Sequence, residues 1–70
     1  MIKNYVNVGA IIRNSRKENR LTQENLAEMI GCSVEYLSRI ENGKCAPGTK
    51  YLTAISNVLN IPADNLLGAE

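Results

Sequence analysis

Histidine, tryptophan and phenylalanine are absent from this chain of 70 residues, and it has only two cysteines. Without histidine there is no imidazole base, no serine–histidine triad and no zinc site of the His/Cys type. Cys32 and Cys45 form neither a disulfide framework nor a C-x-x-C motif, a usage typical of reducing compartments. Gly-rich phosphate loops and clustered carboxylates are also lacking. We therefore predict no enzyme activity, catalytic residue, metal or cofactor, and a cytoplasmic location.

Long apolar runs are missing as well. No run approaches the roughly 20 residues of a membrane span, and residues 1–7 lack the apolar core of a secretory signal. Apolar residues nevertheless make up 44% of the chain, and they are almost all aliphatic. A chain of this length suffices for one small domain. The missing apolar runs lead us to expect no membrane association. We also expect no small-molecule ligand, because one small domain leaves no room for a separate ligand-sensing domain.

Charge is unevenly distributed although the net charge is only +1. Residues 1–20 contain five basic residues and one acidic residue, whereas residues 21–70 contain three basic and six acidic residues. A basic first segment fits a partner of negative charge, but it fits an ordinary solvated helix equally well. Charge alone does not choose between these interpretations.

Capping residues predict two short helices in the middle of the chain. Thr22 is a good N-cap for the first of them, and Gly31 ends it because glycine tolerates the left-handed conformation. Ser33 caps the next helix, which is expected to stop at Gly43. Only Cys32 separates Gly31 from Ser33, so the pair is expected to form a helix-turn-helix.

Three further helices complete an all-α prediction. Helical spacing of apolar residues indicates a helix over 8–19 and another over 49–59, broken by Asn60. Pro62 is well placed to open a last short helix over 62–67. No segment predicts a strand.

One face of the third helix is polar. At about 100° per residue, Leu37 and Ile40 form the core face, Tyr36 lies at its edge and Glu41 lies on the boundary. The residues of the open face fall within an arc of roughly 140°: Val34, Glu35, Ser38, Arg39 and Asn42. This face is either an ordinary solvated surface or one that reads base edges in a major groove.

The side chains of the open face match base chemistry. Arg39 can pair with guanine or hold a phosphate, Glu35 can accept from cytosine N4, and Val34 can contact a thymine methyl. Gln23 begins the second helix, where free backbone N–H groups favour phosphate and an amide adds a donor. A simple polar N-terminal residue is the alternative for Gln23.

The stretch from Leu21 to Lys44 resembles the phage repressor/Cro-type (XRE-like) helix-turn-helix family. Its most recognisable parts are L-T-Q-E-x-L-A from Leu21 and Y-L-S-R-I-E-N-G-K from Tyr36. The similarity covers residues 6–67, so we predict a single DNA-binding domain there, with short extensions at 1–5 and 68–70. It implies a five-helix, lambda-repressor-like fold whose third helix lies in the major groove of double-stranded DNA.

The resemblance also assigns roles to residues. Those matching base-reading positions are Ser33, Val34, Glu35, Ser38 and Arg39. Those matching phosphate-contacting positions are Gln23, Asn42 and Lys44. Arg16 and Glu41 match a pair that joins the first helix to the end of the third, so we predict a structural ion pair. Cys32 is expected to be buried packing and Cys45 to lie in an exposed loop.

The function implied is a sequence-specific transcriptional regulator, of repressor or controller type, that binds a pseudo-palindromic operator as a homodimer. Candidate dimer contacts lie on the last two helices, at Tyr51 and near Ile61 and Leu66, unless these residues simply complete the core. The alternative function is an antitoxin or a protein-binding adaptor with the same fold.

Overall fold

Four α-helices form the computed structural model, which describes residues 5–62 and 65–66. They are α1 (Tyr5–Glu18), α2 (Gln23–Ile30), α3 (Val34–Glu41) and α4 (Thr49–Leu59). No strand occurs in these residues, which confirms the all-α prediction for them. None of the helices is long and apolar enough to cross a membrane.

The boundaries of α2, the start of α3 and the end of α4 follow the predicted capping and stop residues. The Thr22 side chain accepts from the Asn25 N–H, and Gly31 is left-handed with φ +80°. The predicted range of α4 is confirmed at both ends, since the helix spans Thr49–Leu59. Asn60 ends it in the left-handed conformation, and the Asn60 N–H donates to the Ser56 carbonyl. Helix α3 ends at Glu41, and Gly43 follows with φ +74°.

Two predicted helices need correction or lie partly outside the structure. Helix α1 spans Tyr5–Glu18 and not 8–19. Val8, where the predicted apolar spacing begins, is buried in the core, whereas the helical backbone begins almost one turn earlier. The predicted helix over 62–67 falls partly on 63–64 and 67, outside the described residues; residues 65–66 are helical.

The core lies between α1 and α3, with α2 and α4 packed against its sides. Its largest fully buried side chains are all branched aliphatics, as the composition predicts: Val8, Ile12, Leu26, Leu37, Ile40, Ile55 and Leu66. Ile61 is also buried. Ile61 and Leu66 therefore complete the core of one chain and are not available as dimer contacts.

Helix α1 touches the backbone of α3 at Gly9. A Cβ at this position would clash with the carbonyl oxygen of Ile40 and lie 2.8 Å from that of Glu41. The two helices can approach this closely only because Gly9 has no side chain. This contact fixes where α3 stands relative to α1.

Candidate nucleic-acid interface

A three-residue turn sets the direction of α3. The N–H groups of Gly31 and Cys32 both donate to the Ala27 carbonyl at 2.9 Å, which closes the end of α2. Ser33 Oγ then accepts from the Tyr36 N–H at 3.0 Å and starts α3. Because both helix ends are satisfied within the turn, α3 leaves it in one defined direction.

The open face of α3 forms one side of a shallow depression, which we call the α3 groove. The residues lining it come from α2, α3 and the loop after α3: Gln23, Val34, Glu35, Ser38, Arg39, Asn42 and Lys44. The structure thus brings together seven of the eight residues assigned to DNA contact. The eighth, Ser33, lines a different depression.

Polar side chains within the α3 groove are partly pre-arranged. Asn42 Nδ2 donates to Ser38 Oγ at 3.3 Å, one helical turn away. The Ser38 hydroxyl proton is then free to donate to another acceptor. Val34 is half-buried and packs against the core, so it presents only part of its apolar surface to the groove.

The charged side chains of the groove are exposed. Glu35, Arg39 and Lys44 make no ion pair within the part of the chain that the structure describes. Two cations and one carboxylate therefore face solvent together. A surface of this kind attracts a polyanion weakly and leaves its side chains free to pair with a ligand.

Arg16 and Glu41 meet beneath this groove. Arg16 Nε donates to Glu41 Oε2 at 2.8 Å, and Arg16 Nη2 donates to Glu41 Oε1 at 3.1 Å. Arg16 Nη1 donates to the Leu21 carbonyl at 2.8 Å. Both side chains are buried, and no buried side-chain nitrogen or oxygen among the described residues lacks a partner. The pair ties α1 to the end of α3.

Gln23 lines the α3 groove and also hydrogen-bonds to the buried Arg16–Glu41 pair. Its Nε2 donates to Glu41 Oε1 at 3.1 Å, and its side chain is half-buried. The sequence predicts a phosphate contact for Gln23 but carries no local signal for this hydrogen bond, because the two residues are 18 positions apart in different helices. The Gln23 amide is thus positioned by a hydrogen bond to a buried carboxylate.

The second depression, which we call the tyrosine pocket, lies at the other side of the turn. It is lined by Gly31, Cys32, Ser33, Tyr36 and Tyr51. The two tyrosine rings are 5.2 Å apart between centroids, at 59°. Tyr36 Oη accepts from the Gly48 N–H at 2.9 Å. These contacts join α3 to the start of α4.

Both cysteines are half-buried and pack against the core. Cys45 lies in the loop between α3 and α4, as predicted, but its side chain is only partly exposed there. Among the residues that the structure describes, no group of three or more histidine, cysteine or carboxylate side chains could hold a metal.

We expect Cys32 to react slowly with alkylating reagents at neutral pH. Burial raises the pKa of the Cys32 thiol more than a backbone hydrogen bond at Leu37 lowers it, so less thiolate is present. In a Cys45→Ser variant, iodoacetamide should modify Cys32 several-fold more slowly in the folded chain than in urea. Equal rates in the two states would contradict this expectation.

A helix-turn-helix family model matches residues 12–66, and the chain belongs to that family. The predicted membership is confirmed. The chain is 44% identical over 54 residues to the ImmF control region 10 kDa protein of Bacillus phage phi105, a match covering 77% of this chain and 60% of that protein.

Other relatives agree with this family. The uncharacterized HTH-type transcriptional regulator YazB of Bacillus subtilis (strain 168) is 40% identical over 62 residues, which cover 89% of this chain and 90% of that protein. The Immunity repressor protein of Bacillus phage phi105 is 38% identical over 63 residues, which cover 90% of this chain and 44% of the repressor. The chain therefore spans about half the length of the two phage relatives.

Solved structures share the fold. The P22 c2 repressor, crystallised with a synthetic operator, superposes with a TM-score of 0.83 at 32% identity, covering 90% of this chain and 96% of the repressor. The restriction-modification controller protein C.AhdI from Aeromonas hydrophila superposes with a TM-score of 0.81 at 26% identity, covering 89% of this chain and 94% of the controller protein. The prediction that the chain is not an enzyme agrees with these relatives, whose names describe repressors, a transcriptional regulator and a controller protein.

Proposed function

We propose that this chain is a transcriptional regulator that binds a specific double-stranded DNA sequence through the α3 groove. The observation that carries the proposal is the convergence of seven side chains, drawn from two helices and a loop, on one exposed surface. They include donors, acceptors and an apolar group, which together can read base edges. The P22 c2 repressor, crystallised with operator DNA, supports this choice of partner.

Within this proposal, Val34, Glu35, Ser38 and Arg39 contact bases, while Gln23, Asn42 and Lys44 contact the phosphate backbone. Ser33 is retained as a base contact through its hydroxyl proton, since its oxygen already accepts from Tyr36. The DNA-binding domain covers residues 6–67, has a fifth helix at its end, and works in the cytoplasm.

The proposal includes a homodimer on a pseudo-palindrome. One α3 groove is too small to select a site in a genome. Two grooves related by a two-fold axis would read half-sites about one helical turn apart. Of the dimer contacts predicted from the sequence, Tyr51 is the one that remains half-exposed.

In-vitro selection of bound fragments from random DNA tests the proposal. We expect one enriched pseudo-palindromic sequence, two chains per site by analytical ultracentrifugation, and affinity that falls steeply with salt. Selection that enriches no sequence would overturn the proposed function.

Replacing Arg39 with alanine should weaken binding to the selected site roughly tenfold to a hundredfold, since a bidentate arginine–guanine contact is worth about 1–3 kcal/mol. Discrimination at one base pair should be lost, and the melting temperature should not change because Arg39 is exposed. Fluorescence anisotropy on the selected site and on single-base variants measures both effects.

Lys44→Ala is the matched control for Arg39→Ala. Lys44 is also exposed and lines the same groove. Because Lys44 is assigned to a phosphate, its loss should weaken binding to all sequences equally. It should also reduce the slope of log affinity against log salt concentration by about 1. An Arg39→Ala variant that keeps its full base preference would contradict the base-reading role.

A protein-binding role is the second candidate. The chain is 32% identical over 63 residues to the Antitoxin PezA of Streptococcus pneumoniae, although that match covers only 40% of the antitoxin. Met29, on α2, is the large hydrophobic side chain that the structure leaves most exposed, at 55%. Stable co-purification with a small partner protein, without selective DNA binding, would favour this role.

A further inference from the structure

The side-chain amide of Gln23 lies between the α3 groove and the buried Arg16–Glu41 pair. Gln23 lines the groove, and its Nε2 donates to Glu41 Oε1 at 3.1 Å. The same carboxylate oxygen accepts from Arg16 Nη2 at 3.1 Å. One buried oxygen therefore holds both a core guanidinium and a groove amide.

The chemistry of Glu41 fixes which end of the amide faces inwards. An ionised carboxylate has acceptors only, so it can bond the NH₂ group of Gln23 but not its carbonyl oxygen. Turning the amide over would place two oxygens against each other. Arg16 binds both oxygens of Glu41, and Glu41 is only 3% exposed, so the carboxylate cannot turn away to relieve this.

This orientation leaves Gln23 with one remaining N–H, at the first residue of α2. Backbone N–H groups at such a helix start are unpaired and favour an anion. Arg16 offsets the negative charge of Glu41, so the carboxylate does not leave a net repulsion for phosphate beside the groove. A donor with one fixed orientation loses less freedom on binding than a freely turning amide.

We propose that Glu41 is a positioning residue for DNA binding: through the Glu41 Oε1–Gln23 Nε2 hydrogen bond it holds the Gln23 amide so that its second N–H donates to a backbone phosphate. This inference rests on the proposed function. It gives the buried ion pair a role in binding beyond its support of the fold.

A double-mutant cycle on the selected DNA site tests the inference. Gln23→Ala should weaken binding about tenfold, the scale of one hydrogen bond to a charged group. Glu41→Gln, which keeps an acceptor for Arg16 but allows the amide either orientation, should weaken binding several-fold. Made in the Gln23→Ala background, Glu41→Gln should have no further effect, because the group it positions is gone. All affinities are measured well below each variant's melting temperature.

The outcomes separate this inference from the proposed function. Equal losses from Glu41→Gln in both backgrounds would show that it acts through the fold and would overturn the positioning role, as would no loss in either. Absence of selective binding by the unmodified chain would instead overturn the proposed function, and the inference with it.

A measurement on the unmodified chain applies even if Glu41→Gln does not fold. Gln23 is the only glutamine in the sequence, so its side-chain amide signals are readily assigned by NMR. One of its two amide protons should exchange with solvent several-fold more slowly than those of the exposed Asn14, and the second should become protected when DNA is added. Exchange of both Gln23 protons as fast as in Asn14, or no added protection by DNA, would overturn the inference.

Discussion

Replacing Glu41 with alanine is expected to lower the free energy of unfolding by about 3–5 kcal/mol. Arg16 would lose two of its three hydrogen bonds and keep only the one to the Leu21 carbonyl. The guanidinium would then be a buried charge without a counter-ion, since Arg16 is only 9% exposed. A domain of this size has a total stability of about 4–10 kcal/mol, so the loss would remove much of it. Thermal and urea unfolding followed by circular dichroism measure the effect.

Two further variants show that the loss comes from the unpaired charge. Glu28→Ala removes an exposed carboxylate from α2 and should change stability by less than about 0.5 kcal/mol. Replacing both partners, as Arg16→Met with Glu41→Leu, should destabilise far less than Glu41→Ala, because no buried charge is left over. A Glu41→Ala variant that melts at the original temperature would show that the pair does not support the fold.

Local signals explain why three helices could be placed from the sequence. Thr22 and Ser33 are side-chain caps, and Gly31 and Asn60 adopt the left-handed conformation at helix ends. Each of these residues acts on backbone groups within five positions of itself, so one sequence is enough to identify it. The start of α1 was misplaced because apolar spacing reports which side chains reach the core and not where hydrogen bonding begins.

The part of the groove on α3 was predictable because it depends on helical periodicity alone. That periodicity puts Glu35, Ser38 and Arg39 on one face of α3, with Asn42 just after its end. Gln23 and Lys44 were added to this set by the resemblance and not by a local signal. The structure groups all of these residues in the α3 groove. Ser33 was assigned to the same set by resemblance, yet as the N-cap it precedes the first turn of α3 and lies in the tyrosine pocket.

Contacts between distant positions were not accessible in the same way. The bond between Gln23 and Glu41 and the close approach of Gly9 to Ile40 both depend on how whole helices stack. A single sequence carries no local signal for such stacking. For Gly9 a weak signal did exist, since a glycine inside an apolar helical pattern lowers helix stability and so points to a packing reason.

Replacing Gly9 with alanine is expected to destabilise the chain by about 2 kcal/mol or more, in the range typical of overpacking a core. This is opposite in sign to the usual effect within a helix, where alanine is favoured over glycine by about 1 kcal/mol. The added Cβ would clash with the Ile40 carbonyl oxygen and lie 2.8 Å from that of Glu41, both of which are backbone atoms. These atoms can move only if α1 shifts away from α3, which opens the core beside Ile12 and stretches the Arg16–Glu41 pair.

Gly48→Ala is the matched control for Gly9→Ala. Its Cβ would meet Tyr36 Oη at 3.7 Å and Tyr51 at 3.8 Å, which are ordinary contacts, and its φ of −62° suits any residue. As an N-cap change it should lower stability by only a few tenths of a kcal/mol. If Gly9→Ala instead raised the melting temperature, α1 and α3 would not pack as closely as described.

Because α3 carries most of the groove, a shift at Gly9 should also weaken DNA binding measured on fully folded protein, whereas Gly48→Ala should leave that affinity within about twofold.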